Sequence, residues 1–263
     1  MTPTRAAHSQ PSRLAVGGLT LVVVVLLWYV ATSLTQIIPP VYFPTPTEVV
    51  RAFRQIAVQG YADGRLHEHV LHSCWLVLLG FVVAVGIGIP LGMLMGWSRR
   101  AEALINPVFL LLRPIPPLAW IPLAIVWLGL GDAAKVLVIW FAAFVPAVIN
   151  SYAGVRSIEP HLVEAARSLG VRGAMLVREV LFPGALPLIF TGLRLSLQAC
   201  WTTLVAGELI GAIVGLGHVL YQAGLDLFPA MIVVGMIGVA IAGGLMTAAL
   251  GWFEARAMPW HAR

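Results

Sequence analysis

Ser73-Cys74-Trp75-Leu76-Val77-Leu78-Leu79-Gly80-Phe81-Val82-Val83-Ala84-Val85-Gly86-Ile87-Gly88-Ile89-Pro90-Leu91-Gly92-Met93-Leu94-Met95-Gly96-Trp97-Ser98 holds no charged side chain and ends at Arg99-Arg100. A helix crossing the hydrocarbon core of a bilayer needs about 20 mostly apolar residues, and this stretch supplies them. Gly80, Ala84, Gly88, Gly92 and Gly96 put a small residue at every fourth position. Such a stripe lets a second helix approach closely in lipid, either within the chain or between subunits.

The same reading extends along the chain. Charge-free stretches recur at 14–47, 114–131, 136–155, 195–207, 209–225 and 227–253. Of the 263 residues, 60% are hydrophobic and 10% charged, against about 45–50% and 25% in an average soluble domain. A soluble enzyme and a nucleic-acid module are excluded on that ground, and disorder is excluded with them. The fold expected is an all-α integral membrane protein of about six transmembrane helices, near 14–34, 73–97, 105–128, 134–153, 187–210 and 229–252. The apolar run after Arg5 and Arg13 is too long for a cleavable signal, whose apolar core is about 7–15 residues. Residues 48–72 read as a polar external helix, and Gly211–Gly217 as a turn or short re-entrant element. Pro107, Pro114, Pro116, Pro117 and Pro122 predict a kinked or partly unwound third span.

The formal charge is +5, and its distribution orients the layout. With residues 1–13 inside, the inner side receives Arg5, Arg13, Arg99, Arg100, Arg156, Arg167, Arg172, Arg178, Arg256 and Arg263. The outer side receives Arg51, Arg54, Arg65 and Lys135. That bias follows the positive-inside rule and places both the N-terminus and a tail at 254–263 in the cytoplasm. Cys74 and Cys200 lie in apolar runs and read as small core residues.

Chemistry is conspicuous by what the spacing omits. Lys135 is followed by Val136, so no Gly-rich Lys-Ser/Thr loop is present to hold a nucleotide phosphate. The His67-Glu68-His69-Val70-Leu71-His72 run does not put three imidazoles on one helix face, so no metal site is assigned. Arg113, Arg194 and Glu208 fall inside spans and demand partners or a wet cavity. At 1.5 Å per residue the two arginines lie roughly 13 and 10 Å from the inner face, comparable depths for lining an anion path. The alternative for Arg113 is to satisfy backbone carbonyls freed by the nearby prolines. Trp120, in the broken span, joins them as a path candidate.

Residues 155–186 form a polar segment between spans. Leu162, Ala165, Ala166 and Leu169 recur at helical spacing, and Pro160 suits a first turn. Gly170 suits the left-handed position past a helix end. A second short helix is expected from about Gly173 to Phe182, stopping at Pro183. This reads as a helical hairpin on the inner membrane surface, able to dock into a cleft on a soluble partner.

Glu164-Ala165-Ala166, Gly170, Val180, Phe182 and Pro183 resemble the conserved cytoplasmic loop of ABC importer permeases, with Val180 and Phe182 as apolar departures. Residues 39–46, 113–122, 184–187 and 192–194, and Ala206-Gly207-Glu208, are similar to the nitrate/sulfonate/taurine group, with Pro259-Trp260-His261 leaning to taurine. The resemblance implies a type I ABC importer permease fold in the bacterial inner membrane. It implies a dimer with a second copy, two ATP-binding subunits carrying ATP and Mg outside this chain, and a periplasmic substrate-binding protein. The coupling surface is then carried by Arg156, Glu159, Glu164, Ala165, Ala166, Arg167, Gly170, Arg172 and Pro183. The substrate expected is a small anion such as taurine, a sulfonate or nitrate, with a small aromatic carboxylate as the alternative. A stand-alone secondary transporter or channel leaves the hairpin without a role, and a membrane-embedded enzyme lacks catalytic clusters.

Overall fold

The computed structural model describes residues 13–35, 37, 39 and 42–260. The ends of the chain, with Arg5, His261 and Arg263, and Pro40 and Val41 of the proline-rich exit lie outside the described residues. Helix α1, Arg13–Tyr29, continues through a π turn at Val30–Leu34, and its side chains from Gly17 to Leu27 are exposed. Helix α2, Pro46–Val58, starts on a capping box: the Glu48 N–H donates to the Thr45 hydroxyl and the Glu48 carboxylate accepts from the Thr45 N–H. It buries Val49, Ala52 and Ile56.

Helix α3 spans Leu66–Trp97, so residues 66–72 belong to the long membrane helix and not to a separate external one. Helix α4, Arg99–Leu112, stops before Pro114. After a single turn at Pro117–Trp120 the chain resumes as α5, Ile121–Leu128, bent by 84° from α4. Three prolines in four positions cause the break, because each removes an N–H and Pro116 takes the extended ψ of 136° that a following proline demands.

Helix α6, Asp132–Arg156, is followed by α7, Pro160–Ser168, and α8, Gly173–Leu176. Here the expectation of a stop at Pro183 fails. A π turn at Val177–Leu181 leads straight into α9, Phe182–Gly211. Pro183 sits in the first turn of α9, where a missing N–H interrupts nothing. The turn expected at Gly211–Gly217 leads into α10, Leu216–Leu225, and α11 runs Pro229–Ala257. Among the described residues five helices are long and apolar enough to cross a membrane, or six if the bent α4–α5 pair is one span.

Helices α3, α6 and α9 form the centre, where Leu76, Ile139, Leu197, Leu204 and Leu216 pack together. The small-residue stripe of α3 faces α6 within the same chain. A Cβ on Gly80 would meet Ile139 at 2.5 Å, and one on Gly96 would meet Val155 at 2.7 Å. The Ser196 hydroxyl donates across the α9–α6 contact to the Ala143 carbonyl at 2.7 Å, a bond that lipid cannot replace. At one end of the bundle α2, α10 and the start of α11 share a second core of Ile56, Val219, Ala223 and Met231. Helix α7 occupies the opposite end.

Candidate functional site

Helix α7 is built to be presented. Glu159 precedes its first turn and pairs with His161 at 3.1 Å. At its end the Val171 N–H reaches the Ala166 carbonyl and the Gly170 N–H the Arg167 carbonyl, both at 3.0 Å. Gly170 takes φ +87° to close this cap, a conformation that side chains with a Cβ resist.

The helix hangs on the bundle by one side. Val163 packs near Val177, Leu181 and Ile158. The Arg167 guanidinium lies 5.6 Å from the Trp97 ring at the end of α3. Arg156 pairs with Glu102 at 3.9 Å, and Tyr152 donates to the same carboxylate at 2.5 Å, tying α6 to α4. Glu164, Ala165 and Arg172 are exposed, and Ala166 half-buried. The apolar residues Leu162 and Leu169 are 50% and 85% exposed. They turn away from the bundle, leaving an uncovered face of Leu162, Ala165 and Leu169.

At the opposite end the charged residues behave differently from expectation. Glu208 is 0% exposed. Its carboxylate accepts from the Ser73 hydroxyl at 2.8 Å and from the Gly217 N–H at 2.7 Å. The Ser73 oxygen accepts from the Leu216 N–H at 2.9 Å, and His69 Nδ1 from the Gly215 N–H at 3.0 Å. Three N–H groups at the start of α10, which no helix can satisfy internally, are thus met by α3 and α9. Glu208, named above as a substrate-path candidate, here caps the start of α10. Nothing in the local sequence marks this, because Ser73 and Glu208 are 135 positions apart.

His69, one member of the metal-like run, is committed to the same knot through Nδ1 and through Nε2 to the Tyr61 carbonyl at 3.0 Å. Its acceptor role at Nδ1 assigns the proton to Nε2. Among the described residues no three His, Cys, Asp or Glu are grouped to hold a metal. In the adjoining loop Tyr61 donates to Asp226 at 2.5 Å, and partial burial with that carboxylate holds its hydroxyl well above the usual phenol range.

Glu208→Ala would leave buried donors at Gly217 and Ser73 unmet, at roughly 1–3 kcal/mol each. The expected result is a fall of about 4–24 °C in the unfolding midpoint of the detergent-purified protein, with Glu208→Gln losing less because it keeps an acceptor. A midpoint unchanged in Glu208→Ala would remove the knot from the account of stability.

The two arginines part company. Arg194 on α9 is ion-paired with Glu254 in the last turn of α11, towards the α7 end. Arg113 lines a cavity of about 190 Å³ at the α4–α5 break, with Trp120, Phe141, Phe144 and Pro146 among its walls. Of the two arginines expected to line a path, Arg194 ties α9 to α11 and Arg113 faces the cavity at the α4–α5 break. Trp120 lies flat on Phe141, with ring centroids 4.2 Å apart.

Among the described residues, up to six apolar crossings, one of them bent between α4 and α5, with an exposed helix carried at one end, are the architecture of a multi-pass membrane protein. The model of the binding-protein-dependent transport system inner membrane component matches residues 88–258, and the chain belongs to that family. The taurine transport system permease protein of Escherichia coli (strain K12) is 39% identical over 92% of this chain and 88% of its own length. A putative aliphatic sulfonates transport permease of Bacillus subtilis (strain 168) is 32% identical over 99% and 94%. The bicarbonate transport system permease of Synechococcus elongatus is 34% identical over 74% and 71%. The fold is that of a chain of the MetNI methionine ABC transporter, at TM-score 0.58 and 23% identity, covering 70% of this chain and 95% of that one. The protein is thus an inner-membrane ABC importer permease, a transport subunit similar to permeases named for taurine, aliphatic sulfonates and bicarbonate.

Proposed function

We propose that two copies of this chain form the membrane pathway of an ATP-driven importer for a small sulfonate-like anion, with taurine the first candidate. The α7 end lies in the cytoplasm with both termini, as the distribution of arginines favours. There α7 docks on one of two ATP-binding subunits, which hold ATP and Mg, while a periplasmic binding protein delivers substrate to the opposite end. Closure of the ATP-binding subunits moves the α7 helices, and the spans rock between outward-open and inward-open arrangements.

The observation that carries this reading is the uncovered apolar face of α7. Leu162 and Leu169 are exposed on a helix anchored by Val163, Arg167 and the Gly170 cap. Exposed leucines on a fixed helix outside the apolar spans suit a protein partner. The similarity to the taurine and sulfonate permeases supports the substrate class.

The test is purification from native membranes in mild detergent. An ATP-binding subunit should copurify in equal number with the chain. After reconstitution with the cognate binding protein, the vesicles should take up labelled taurine only with ATP enclosed on the α7 side. Uptake by the chain alone, without ATP, would replace this reading with a secondary transporter.

A further inference from the structure

The break between α4 and α5 lies against the middle of the α6 span and holds there two things that lipid does not tolerate. Residues 114–116 interrupt the helix there, and irregular backbone occurs within the hydrocarbon region only where protein covers it or water reaches it. Arg113 is exposed and, among the described residues, its guanidinium makes no ion pair. Its cavity is walled by Phe141, Ala142, Phe144, Val145 and Pro146, the middle of the Asp132–Arg156 helix. Half of a ~30 Å hydrocarbon core is ~15 Å, more than twice an arginine's reach, so Arg113 cannot snorkel to either interface. Facing lipid at this depth would cost at least about 2.5–3.5 kcal/mol.

We infer that the cavity at the α4–α5 break is a water-lined, weak binding site for a small organic oxyanion, with Arg113 supplying the charge and the Trp120–Phe141 stack the apolar wall. None of the residues lining it is acidic, so nothing in the cavity competes for the guanidinium. The planar fork of Arg113 matches two oxygens of a sulfonate or carboxylate. The stacked rings accept the short carbon portion of such a molecule. One charge without further polar partners gives attraction that still allows release, as a transport path requires. For its biological ligand this inference rests on the import reading above.

The test uses the full-length chain in nanodiscs with its copurified subunits, Cys74 and Cys200 replaced by alanine, and Ile115→Cys at the cavity wall. The thiol is modified by an anionic sulfonatoethyl methanethiosulfonate and, separately, by a cationic trimethylammonioethyl methanethiosulfonate. Both reagents should react, and millimolar ethanesulfonate should slow the anionic one. Arg113→Gln should lower the anionic-to-cationic rate ratio at least fivefold and abolish protection, whereas Arg113→Lys should hold the ratio within twofold. Uptake by the Gln variant should fall about tenfold.

A thiol that neither reagent reaches would overturn the water-lined site. An unchanged ratio in Arg113→Gln would overturn the role of Arg113. If the Gln variant fails to assemble, absence of ethanesulfonate protection in the parent decides against the site, and protection decides for it. A parent that shows protection yet carries no sulfonate into vesicles would leave the site standing and overturn the import reading.

Discussion

Gly92→Leu leaves almost no folded protein in the membrane. On α3 a Cβ at Gly92 would lie 2.4 Å from the Val148 carbonyl oxygen and 2.9 Å from the Ser151 Cβ. The obstacle is backbone, so relief requires α3 and α6 to separate along the contact that also seats Gly80, Gly88 and Gly96. Overpacking an ordinary core position costs roughly 1–3 kcal/mol. A clash with a helix backbone exceeds that and consumes a large share of the ~5–15 kcal/mol that holds a typical protein folded. Gly86→Leu is the matched control, since nothing lies within 4 Å of its added Cβ on the same helix. With a fluorescent fusion, size-exclusion chromatography should give a sharp peak for Gly86→Leu and aggregate or no signal for Gly92→Leu. Equal peaks would mean that the small-residue stripe does not hold α3 to α6.

The second large effect falls on α7. Leu162→Asp and Glu164→Lys alter exposed side chains, so insertion and folding should be as in the parent. Transport should nevertheless drop to background, because Leu162→Asp places an uncompensated charge in the apolar docking face and Glu164→Lys reverses the charge beside it. Gly170→Val tests the same element by another route. Its φ of +87° strains any β-branched residue by about 1–3 kcal/mol, although nothing lies within 4 Å of the added Cβ. The expected readings are normal yield of the chain, loss of the copurifying ATP-binding subunit, and no substrate-stimulated hydrolysis. Normal stimulated hydrolysis in all three variants would remove α7 from the coupling path.

How far the sequence could be read follows from what each element depends on. The long spans are legible because their apolar runs are local and nearly free of charge. The Gly170 cap is legible for the same reason, since a positive φ past a short helix is a local demand. The start of α3 is not, because His67, Glu68, His69 and His72 look like an external face. Their context is tertiary: His69 is wholly buried and answers an N–H at Gly215, 146 positions away.

Pro183 misleads through direction: proline ends a helix that comes before it and begins one that follows. Glu208 and Arg194 could be marked as costly, but not assigned, since their partners Ser73 and Glu254 stand on other helices. The broken span was the most informative irregularity. Its prolines announce the bend, yet only the folded chain shows that the bend opens beside Arg113.

The continuity of the helix from Gly173 has a mechanical consequence. From Gly173 to Glu208 the chain runs 36 residues as one apolar helical rod, about 54 Å at 1.5 Å per residue. One end is rooted beside α7, and the other grips α10 through the Glu208 carboxylate. A rod of that length is a lever arm: tilting it by about 5° about its foot would carry its tip about 5 Å. A small push at the Leu162 face, less whatever the π turn at Val177–Leu181 takes up, would be delivered to the far lip of the molecule.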